Sequence, residues 1–306
     1  MDLTMQCSNQ VNKDSISLKK TIRSLCNKNV RRPLTYEQVK KWIKQFDDGP
    51  EELLALLILR YLIYRTNDQL KSSIKQALKY AALSQITENQ GFGQVVDWKD
   101  LLSNKVEGFK FFFGPTQFDY SVPGKSGEII SRMLKNNFSI NSSQLAYPID
   151  FKNKSLQHNE RYFLVDDAIY TGKQVNDFLN EHGDFMTSSE QSAIVVGLAH
   201  EDAINFIKKT HPNIPVFYGE KITSKECFVS LSDDWVDDEI WQYAEQTPQE
   251  TYNHIVKNKA KFDINSDLYG YGNLGCLIAF EHGIPDNTLS LLWDESATWE
   301  PLIPRS

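Results

Sequence analysis

Cysteine is scarce in this chain of 306 residues, and the four cysteines that occur are widely spaced. Cys7, Cys26, Cys227 and Cys276 form no Cys-x-x-Cys pair and no Cys/His spacing typical of zinc ligands. The sequence therefore indicates neither a structural zinc site nor a disulfide framework.

Long apolar runs are absent as well. The most apolar window, residues 53–63, contains Arg60 and is much shorter than the roughly 20 residues that a bilayer-spanning helix needs. No apolar stretch near residue 1 has the form of a secretion signal. We therefore expect a cytoplasmic protein that has no membrane partner.

Positive charge is in deficit, because 33 Lys and Arg residues face 40 Asp and Glu residues, for a net charge of −7. This balance argues against a surface that generally coats nucleic acid. Hydrophobic residues make up 41% of the chain, which suffices for a sizeable core. Composition thus favours a globular protein with one large domain, or with one domain and a helical appendage.

The chain divides by its sequence pattern into three segments. Residues 1–34 are polar and locally basic, and we expect either a solvated terminus or an arm that contacts nucleic acid or an acidic partner. Residues 35–90 predict a helical subdomain, with capping-box patterns at residues 35–38 and 66–69. Residues 91–306 predict an α/β domain that ends in an aromatic cap.

Short apolar runs alternate with helical patterns in the third segment. Strands are predicted at residues 109–113, 162–165, 193–198 and 214–218, and helices at residues 128–134, 173–182 and 203–207. This alternation predicts an α/β fold, a parallel sheet with flanking helices and a ligand site at the carboxyl ends of its strands.

The most informative segment surrounds the predicted strand at residues 162–165. Asp166 and Asp167 follow that strand directly, and after three further residues Thr171 and Gly172 precede a helical stretch. A helix N-terminus attracts anions, because its first N–H groups have no intrahelical partner and the helix dipole is positive there. Carboxylates beside such a phosphate cradle suit a sugar phosphate. The simpler alternative is that the two acids only cap a helix.

This order of residues resembles the PRPP-binding motif of type I phosphoribosyltransferases, which are α/β proteins. The resemblance implies that Asp166 and Asp167 hold the ribose hydroxyls of PRPP or a nucleotide, as catalytic residues, with Mg²⁺ bound directly or indirectly by the same pair. Tyr170 departs from the pattern, since several purine-salvage members have an acidic residue, a candidate general base, at this place. The implied phosphate-binding loop comprises Ala168, Ile169, Tyr170, Thr171, Gly172 and Lys173.

A phosphoribosyltransferase also needs a loop for the pyrophosphate group of PRPP. The best match is Gly124, Lys125, Ser126 and Gly127, because small residues let the backbone approach a ligand and lysine supplies a positive charge. The spacing differs from that of a Walker A loop. A flexible surface loop is the simpler interpretation, and residues 114–117 are the competing candidate.

The C-terminal block resembles that of a narrower group, the phosphoribosyltransferase-like proteins of bacterial conflict systems. The resemblance rests on residues 269–273, on Phe280 and His282, and on residues 285–305. It implies an effector or accessory protein of antiphage defence. Two forms are open: an Mg-dependent enzyme that transfers or cleaves a phosphoribosyl group, and an inactive module that senses a nucleotide or phosphosugar within a larger complex.

The same block supplies further candidate residues and partners. His282 and Asn287 are predicted to lie in the ligand cleft, whereas Trp293 and Trp299 are expected to be packing anchors. Some members of this group are encoded beside retron reverse transcriptases together with a winged-helix protein. The resemblance therefore implies a reverse transcriptase–nucleic acid complex or a winged-helix protein as partner.

Overall fold

The computed structural model describes residues 3–87, 97–117, 126–151, 155–186, 191–262 and 267–305, with the backbone alone for residues 3–14, 86, 87 and 126. Within these residues the helices are α1 Leu3–Asn27, α2 Tyr36–Ile43, α3 Pro50–Tyr61, α4 Asn67–Thr87, α5 Trp98–Leu102, α6 Ser126–Asn137, α7 Lys173–His182, α8 Glu201–Thr210, α9 Phe228–Asp237 and α10 Pro248–His254. The strands are β1 Ile63–Arg65, β2 Lys110–Pro115, β3 Glu160–Ile169, β4 Ser192–His200, β5 Val216–Ile222 and β6 Ile278–Phe280.

The chain folds into two compact units. The central unit comprises residues 69–223, and the terminal unit comprises residues 1–68 and 224–306. The three segments expected from composition follow the order of the chain, whereas the terminal unit joins residues from both ends of it. The division into those three segments stays a prediction.

The central unit contains a sheet of four strands in the order β2-β3-β4-β5, and every neighbouring pair of strands is parallel. α6, α7 and α8 each connect one strand of the sheet to the next. The prediction of an α/β fold with a parallel sheet and flanking helices is thereby confirmed. All nine residues of β4 are buried, as expected of a strand covered on both faces.

Helices cover the two faces of this sheet in different ways. On one face, residues such as Leu164 and Val196 form a core cluster with side chains of α7 and α8. On the other face, α4 approaches closely because Gly197 has no side chain: a Cβ atom there would lie 2.5 Å from Cδ1 of Leu70. Gly197 therefore allows α4 to pack closely against β4.

The terminal unit is mainly helical, and it includes the two-stranded parallel sheet of β1 and β6. Residues 53–59 of α3 are all buried, as expected of a segment that is apolar almost all round. α1 packs against α3, and Ile22 and Cys26 of α1 are buried in the same core. The polar segment of residues 1–34 is therefore helical over most of its length, and its second half contributes to the core.

The predicted capping box at the start of α2 is confirmed. The N–H of Gln38 donates to Oγ1 of Thr35 at 3.3 Å, and Oε1 of Gln38 accepts the N–H of Thr35 at 2.8 Å. α2 then buries Val39 and Trp42. None of the helices in the described residues combines the length and the apolar character needed to cross a bilayer.

Candidate functional site

The paired carboxylates lie inside β3, because this strand is longer than the sequence pattern predicts. β3 continues to Ile169 rather than ending at Val165. Its neighbour β2 ends at Pro115, opposite Val165, whereas β4 stays paired with β3 as far as Ile169. Asp166 and Asp167 therefore occupy the carboxyl end of the sheet, where the described residues give β3 a neighbouring strand on one side only.

Backbone hydrogen bonds hold both carboxylates in position. One oxygen of Asp166 accepts the N–H of Asp167 at 2.9 Å, and one oxygen of Asp167 accepts the N–H of Ala168 at 2.7 Å. Asp166 is 7% exposed, and Asp167 is half-buried. Consecutive strand residues point to opposite faces, so the two acids lie on different sides of β3. They can therefore contact a molecule that lies across the end of this strand.

The turn after β3 leads directly into α7. Tyr170 is buried, Thr171 is half-buried, and Gly172 has a φ of 74°, in the left-handed region that glycine tolerates. Lys173, the exposed first residue of α7, donates its backbone N–H to Oγ1 of Thr171 at 3.3 Å. Since that oxygen acts as an acceptor here, the hydroxyl hydrogen of Thr171 can be donated to a ligand.

Two backbone amides in the first turn of α7 are open. The described part of the chain supplies no acceptor for the N–H groups of Gln174 and Val175, as expected at the start of a helix. The helix dipole makes this end positive. The end of β3 and the start of α7 thus combine two carboxylates, a hydroxyl and two amide donors, a set of groups that suits a phosphorylated sugar.

The candidate pyrophosphate loop lies only partly within the described residues. Gly124 and Lys125 are outside them, whereas Ser126 and Gly127 begin α6. A Cβ atom at Gly127 would overlap that of Pro115, so glycine at this position lets α6 pack against the end of β2. Because β2 and β3 are parallel, the connection from β2 to α6 starts at the same edge of the sheet as the acidic pair.

The competing candidate, residues 114–117, forms the end of β2 and the two residues after it. A Cβ atom at Gly114 would overlap the hydroxyl of Tyr162 and the carbonyl of Ala146, so glycine is required for packing. Thr116 and Gln117 are buried. This segment therefore places buried polar side chains just beyond the carboxyl end of β2.

His200 ends β4 at the same edge, and the sequence reasoning missed it. It is 1% exposed, and its Nδ1 accepts the backbone N–H of Asp202 at 3.2 Å at the start of α8. The sequence pattern could have identified His200, because this polar residue directly follows an apolar run, as Asp166 does. The same pattern marks the carboxyl ends of both strands.

His282 and Asn287, the predicted cleft residues, belong to the terminal unit. The ring of His282 stacks on that of Phe280, with 5.1 Å between centroids. Asn287 is 6% exposed, and its amide donates to the carbonyl of Tyr271 at 2.8 Å. Asn287 thus fixes the turn at residues 271–273, and a role of either residue in binding stays a prediction.

The two tryptophans of the C-terminal block are packing anchors, as predicted. Trp299 is 3% exposed and donates its indole N–H to the carbonyl of Leu291 at 3.0 Å. Trp293 packs against the same core and donates to the carbonyl of Thr288 at 2.8 Å. The indole N–H groups of both tryptophans are therefore hydrogen-bonded within the fold.

The acidic pair fits the ligand chemistry of Mg²⁺. This ion prefers oxygen ligands, and at phosphate sites it is held by one or two carboxylates together with oxygens of the substrate. Within the described residues, no third Asp, Glu, His or Cys side chain forms a ligand cluster with Asp166 and Asp167. Because the two acids lie on different sides of β3, one of them would hold Mg²⁺ jointly with oxygens of a bound phosphate.

Comparison with known proteins defines the class. A family model matches residues 39–305, which makes the chain a phosphoribosyltransferase-like protein. The chain belongs to the PRTase-CE family. No curated protein sequence matches it. Among solved structures, the AQ2163 protein from Aquifex aeolicus is similar at 14% identity and a TM-score of 0.30, over 63% of this chain and 85% of that chain. A TM-score this low supports no conclusion about fold or function.

Proposed function

We propose that the central unit has a type I phosphoribosyltransferase-like fold and binds PRPP or a nucleotide at the carboxyl end of β3. The observation that carries this proposal is the series of groups from Asp166 to Val175: two fixed carboxylates, a hydroxyl and two open amides at a helix start. Asp166 and Asp167 accept hydrogen bonds from the ribose 2′- and 3′-hydroxyls, and ionised acceptors make such bonds strong. The start of α7 receives the 5′-phosphate.

The same arrangement suits phosphoribosyl transfer or cleavage. As the bond between the anomeric carbon and its leaving group breaks, oxocarbenium-like charge develops at that carbon. The chain contributes positioning and electrostatics, because Asp166 and Asp167 hold the ribose while Thr171 and the α7 amides hold the phosphate. Mg²⁺ bound at the acidic pair would neutralise the charge of a leaving pyrophosphate, and Lys125 would add a positive charge.

A second candidate is a catalytically inactive module that senses a nucleotide or phosphosugar and regulates a larger complex. Tyr170 favours this alternative, because a buried tyrosine stands where several phosphoribosyltransferases have an acidic residue. In either form we propose a cytoplasmic effector or accessory protein of bacterial antiphage defence. Its proposed partner is a retron reverse transcriptase–nucleic acid complex or a winged-helix protein.

Calorimetry and a turnover assay separate the two forms. The full chain is titrated with PRPP and with nucleoside monophosphates, with and without Mg²⁺, and pyrophosphate release is measured on a panel of bases. Asp166→Asn combined with Asp167→Asn is expected to weaken PRPP binding by about 100-fold, since two charge-assisted hydrogen bonds become neutral ones. Binding without turnover supports the sensing module, and turnover that this double variant abolishes supports the enzyme.

A matched control keeps the charge change and moves it away from the site. Asp177→Asn combined with Asp184→Asn also removes two carboxylates from the central unit, at exposed positions in and after α7. We expect this variant to bind PRPP as the parent chain does. If no phosphorylated sugar or nucleotide binds the parent chain, both forms of the proposal are wrong.

The defence role is tested in cells that carry the chain together with its neighbouring genes. Phage plating efficiency is compared for the parent chain, the Asp166/Asp167 double variant and the Asp177/Asp184 control. Protection lost in the first variant and kept in the second supports a defence role that depends on the site. Equal plating with and without the parent chain, across a phage panel, would contradict it.

A further inference from the structure

Two cysteines that are far apart in the sequence meet inside the terminal unit. Sγ of Cys227 lies 3.9 Å from Sγ of Cys276, and both residues are thiols. Cys227 directly precedes α9, and Cys276 lies two residues before β6. They are 4% and 0% exposed, so the pair is enclosed by the core.

The backbone around this pair has the geometry that a disulfide needs. Cys227 and Cys276 are directly opposite each other in an antiparallel bridge. The ladder bond runs between their neighbours, from the N–H of Phe228 to the carbonyl of Gly275 at 2.7 Å. This pattern marks a non-hydrogen-bonded pair, whose Cα atoms are typically about 4.5 Å apart. Disulfides span Cα separations of roughly 4.4–6.8 Å, so the backbone need not move far.

We propose that Cys227 and Cys276 form a redox-sensitive dithiol, which a small peroxide converts to a disulfide. In the first step one thiol is oxidised by hydrogen peroxide to a sulfenic acid, with release of water. In the second step the other sulfur attacks that sulfenic sulfur, the S–O bond breaks, and the hydroxyl leaves as a second water. Two protons and two electrons leave the protein, and a thiol reductant restores them.

Burial determines which oxidants act on the pair. Because both thiols are buried, oxidation needs a local opening of the core and an oxidant as small as hydrogen peroxide. The cross-link would join three segments of the terminal unit, because Cys276 is also paired with Thr288 and its N–H donates to the carbonyl of Asn287 at 3.1 Å. The oxidised form therefore fixes the start of α9 against the turn that carries Asn287. This inference is independent of the proposed ligand.

Mass spectrometry of the full chain tests the proposal directly. The fully reduced protein is treated with hydrogen peroxide, remaining thiols are alkylated, and peptides are analysed without reduction. We expect an intact mass lower by two hydrogens and a cross-linked peptide that contains Cys227 and Cys276. Dithiothreitol should reverse both changes. The midpoint of thermal unfolding should be higher in the oxidised form by about 3 °C or more, because the cross-link restricts the unfolded chain.

Variants identify the sulfur atoms involved. Cys276→Ser leaves Cys227 without its proposed partner, so oxidation should stop at a sulfenic acid that a dimedone probe traps. Cys26→Ser, at another buried thiol, should leave the cross-link unchanged. The proposal is overturned if peroxide that oxidises glutathione in the same tube leaves both thiols reduced, or if the cross-link involves Cys7 or Cys26. These two results come from the parent chain, so they decide the question even if a variant does not fold.

Discussion

Trp42 and Trp299 donate their indole N–H groups to the same carbonyl oxygen, that of Leu291, each at 3.0 Å. Phe46 lies edge-on to both rings, at centroid distances of 4.7 and 5.1 Å. One tryptophan comes from α2 and the other from the C-terminal block, and all of these residues belong to the terminal unit. The shared acceptor thus joins the early helices of this unit to its last residues.

Trp299→Ala should destabilise the terminal unit by about 3–5 kcal/mol, because a large buried ring is lost and a cavity remains. Trp299→Phe should cost only about 1 kcal/mol from the missing hydrogen bond, since Leu291 keeps its bond from Trp42. Urea unfolding measures both values. Trp98→Phe, at the half-buried first residue of α5, is the control. If Trp299→Ala were as stable as that control, Trp299 would not be a packing anchor of the terminal unit.

Gly197 links the packing of α4 to the acidic pair. A Cβ atom at this position would lie 2.8 Å from the carbonyl oxygen of Asp167 and 2.5 Å from Cδ1 of Leu70. The leucine can rotate away, but the backbone of β3 cannot. We therefore expect Gly197→Ala to cost about 1–3 kcal/mol of stability and to weaken PRPP binding.

The control for this variant is Gly283→Ala, because a Cβ atom at Gly283 meets nothing within 4 Å. Chemical denaturation and calorimetry on both variants check the prediction. Equal stability of the two variants, or an unchanged PRPP affinity in Gly197→Ala, would show that β3 tolerates the added methyl group.

Local sequence patterns were enough to predict the four strands of the central unit and the helices that connect them, but not the short helix α5. The predicted strands at residues 109–113, 162–165 and 193–198 overlap β2, β3 and β4, because buried parallel strands are short apolar runs flanked by polar residues. The length of β3 could not be predicted in this way. It continues through Asp166 and Asp167 because β4 still pairs with it, and pairing with a distant segment leaves no local signal.

Other features that the sequence patterns did not predict depend on contacts between residues far apart in the chain. β1 has only three residues, and it is a strand because it pairs with β6, more than two hundred positions away. Glu281 shows the same limit, since it accepts the N–H of Asn67 at 2.7 Å at the start of α4. Cys227 and Cys276 are a third case, because their spacing in the sequence carries no sign that they meet. Patterns predict elements, whereas these contacts depend on how elements are brought together.

Gly172 should be required for the start of α7. It has a φ of 74°, and a Cβ atom there would lie 3.2 Å from Cα of Ala203. Gly172→Ala therefore adds a strain of about 1–2 kcal/mol and pushes the helix start away from α8. We expect PRPP binding to weaken by about tenfold or more, because the open amides of α7 shift.

Gly275→Ala provides a matched comparison for that strain. Gly275 has a φ of 62°, but an added Cβ atom would meet no atom closer than 3.4 Å, and the residue belongs to the terminal unit. The Gly275→Ala variant should lose about as much stability as Gly172→Ala and should keep the PRPP affinity of the parent chain. If calorimetry finds equal affinities for the two variants, the start of α7 does not hold the phosphate.

Alkaline pH should destabilise the terminal unit through buried tyrosines. Burial raises the pKa of Tyr64 to about 12, with the negative charge of Glu281 as a further cause, and burial also raises the pKa of Tyr252 and of Tyr269. The unfolded chain loses these protons near pH 10, the ordinary value. The associated stability is therefore complete below pH 10 and is lost as pH rises towards 12.

For Tyr64 this loss is on the order of 2 kcal/mol by pH 12. Urea unfolding between pH 8 and about 11.5, together with tyrosinate absorbance, measures the change. Tyr64→Phe should flatten the pH dependence, although it also removes the 2.9 Å hydrogen bond to the carbonyl of Arg32. Tyr80→Phe, at a residue that is 53% exposed, should leave the dependence unchanged. A parent chain equally stable at both ends of this range would refute the assignment.

Thr171 provides a test of the proposed phosphate site. Its Oγ1 accepts the N–H of Lys173 at 3.3 Å, so its hydroxyl hydrogen is available to the proposed phosphate. Thr171→Val removes this donor and the acceptor of the Lys173 N–H, and it should weaken binding of PRPP and ribose 5-phosphate about tenfold at a stability cost of roughly 1 kcal/mol. Thr171→Ser keeps the hydroxyl and should restore binding. Calorimetry with both ligands makes the comparison, and parent-like affinity in Thr171→Val would remove this hydroxyl from the phosphate site.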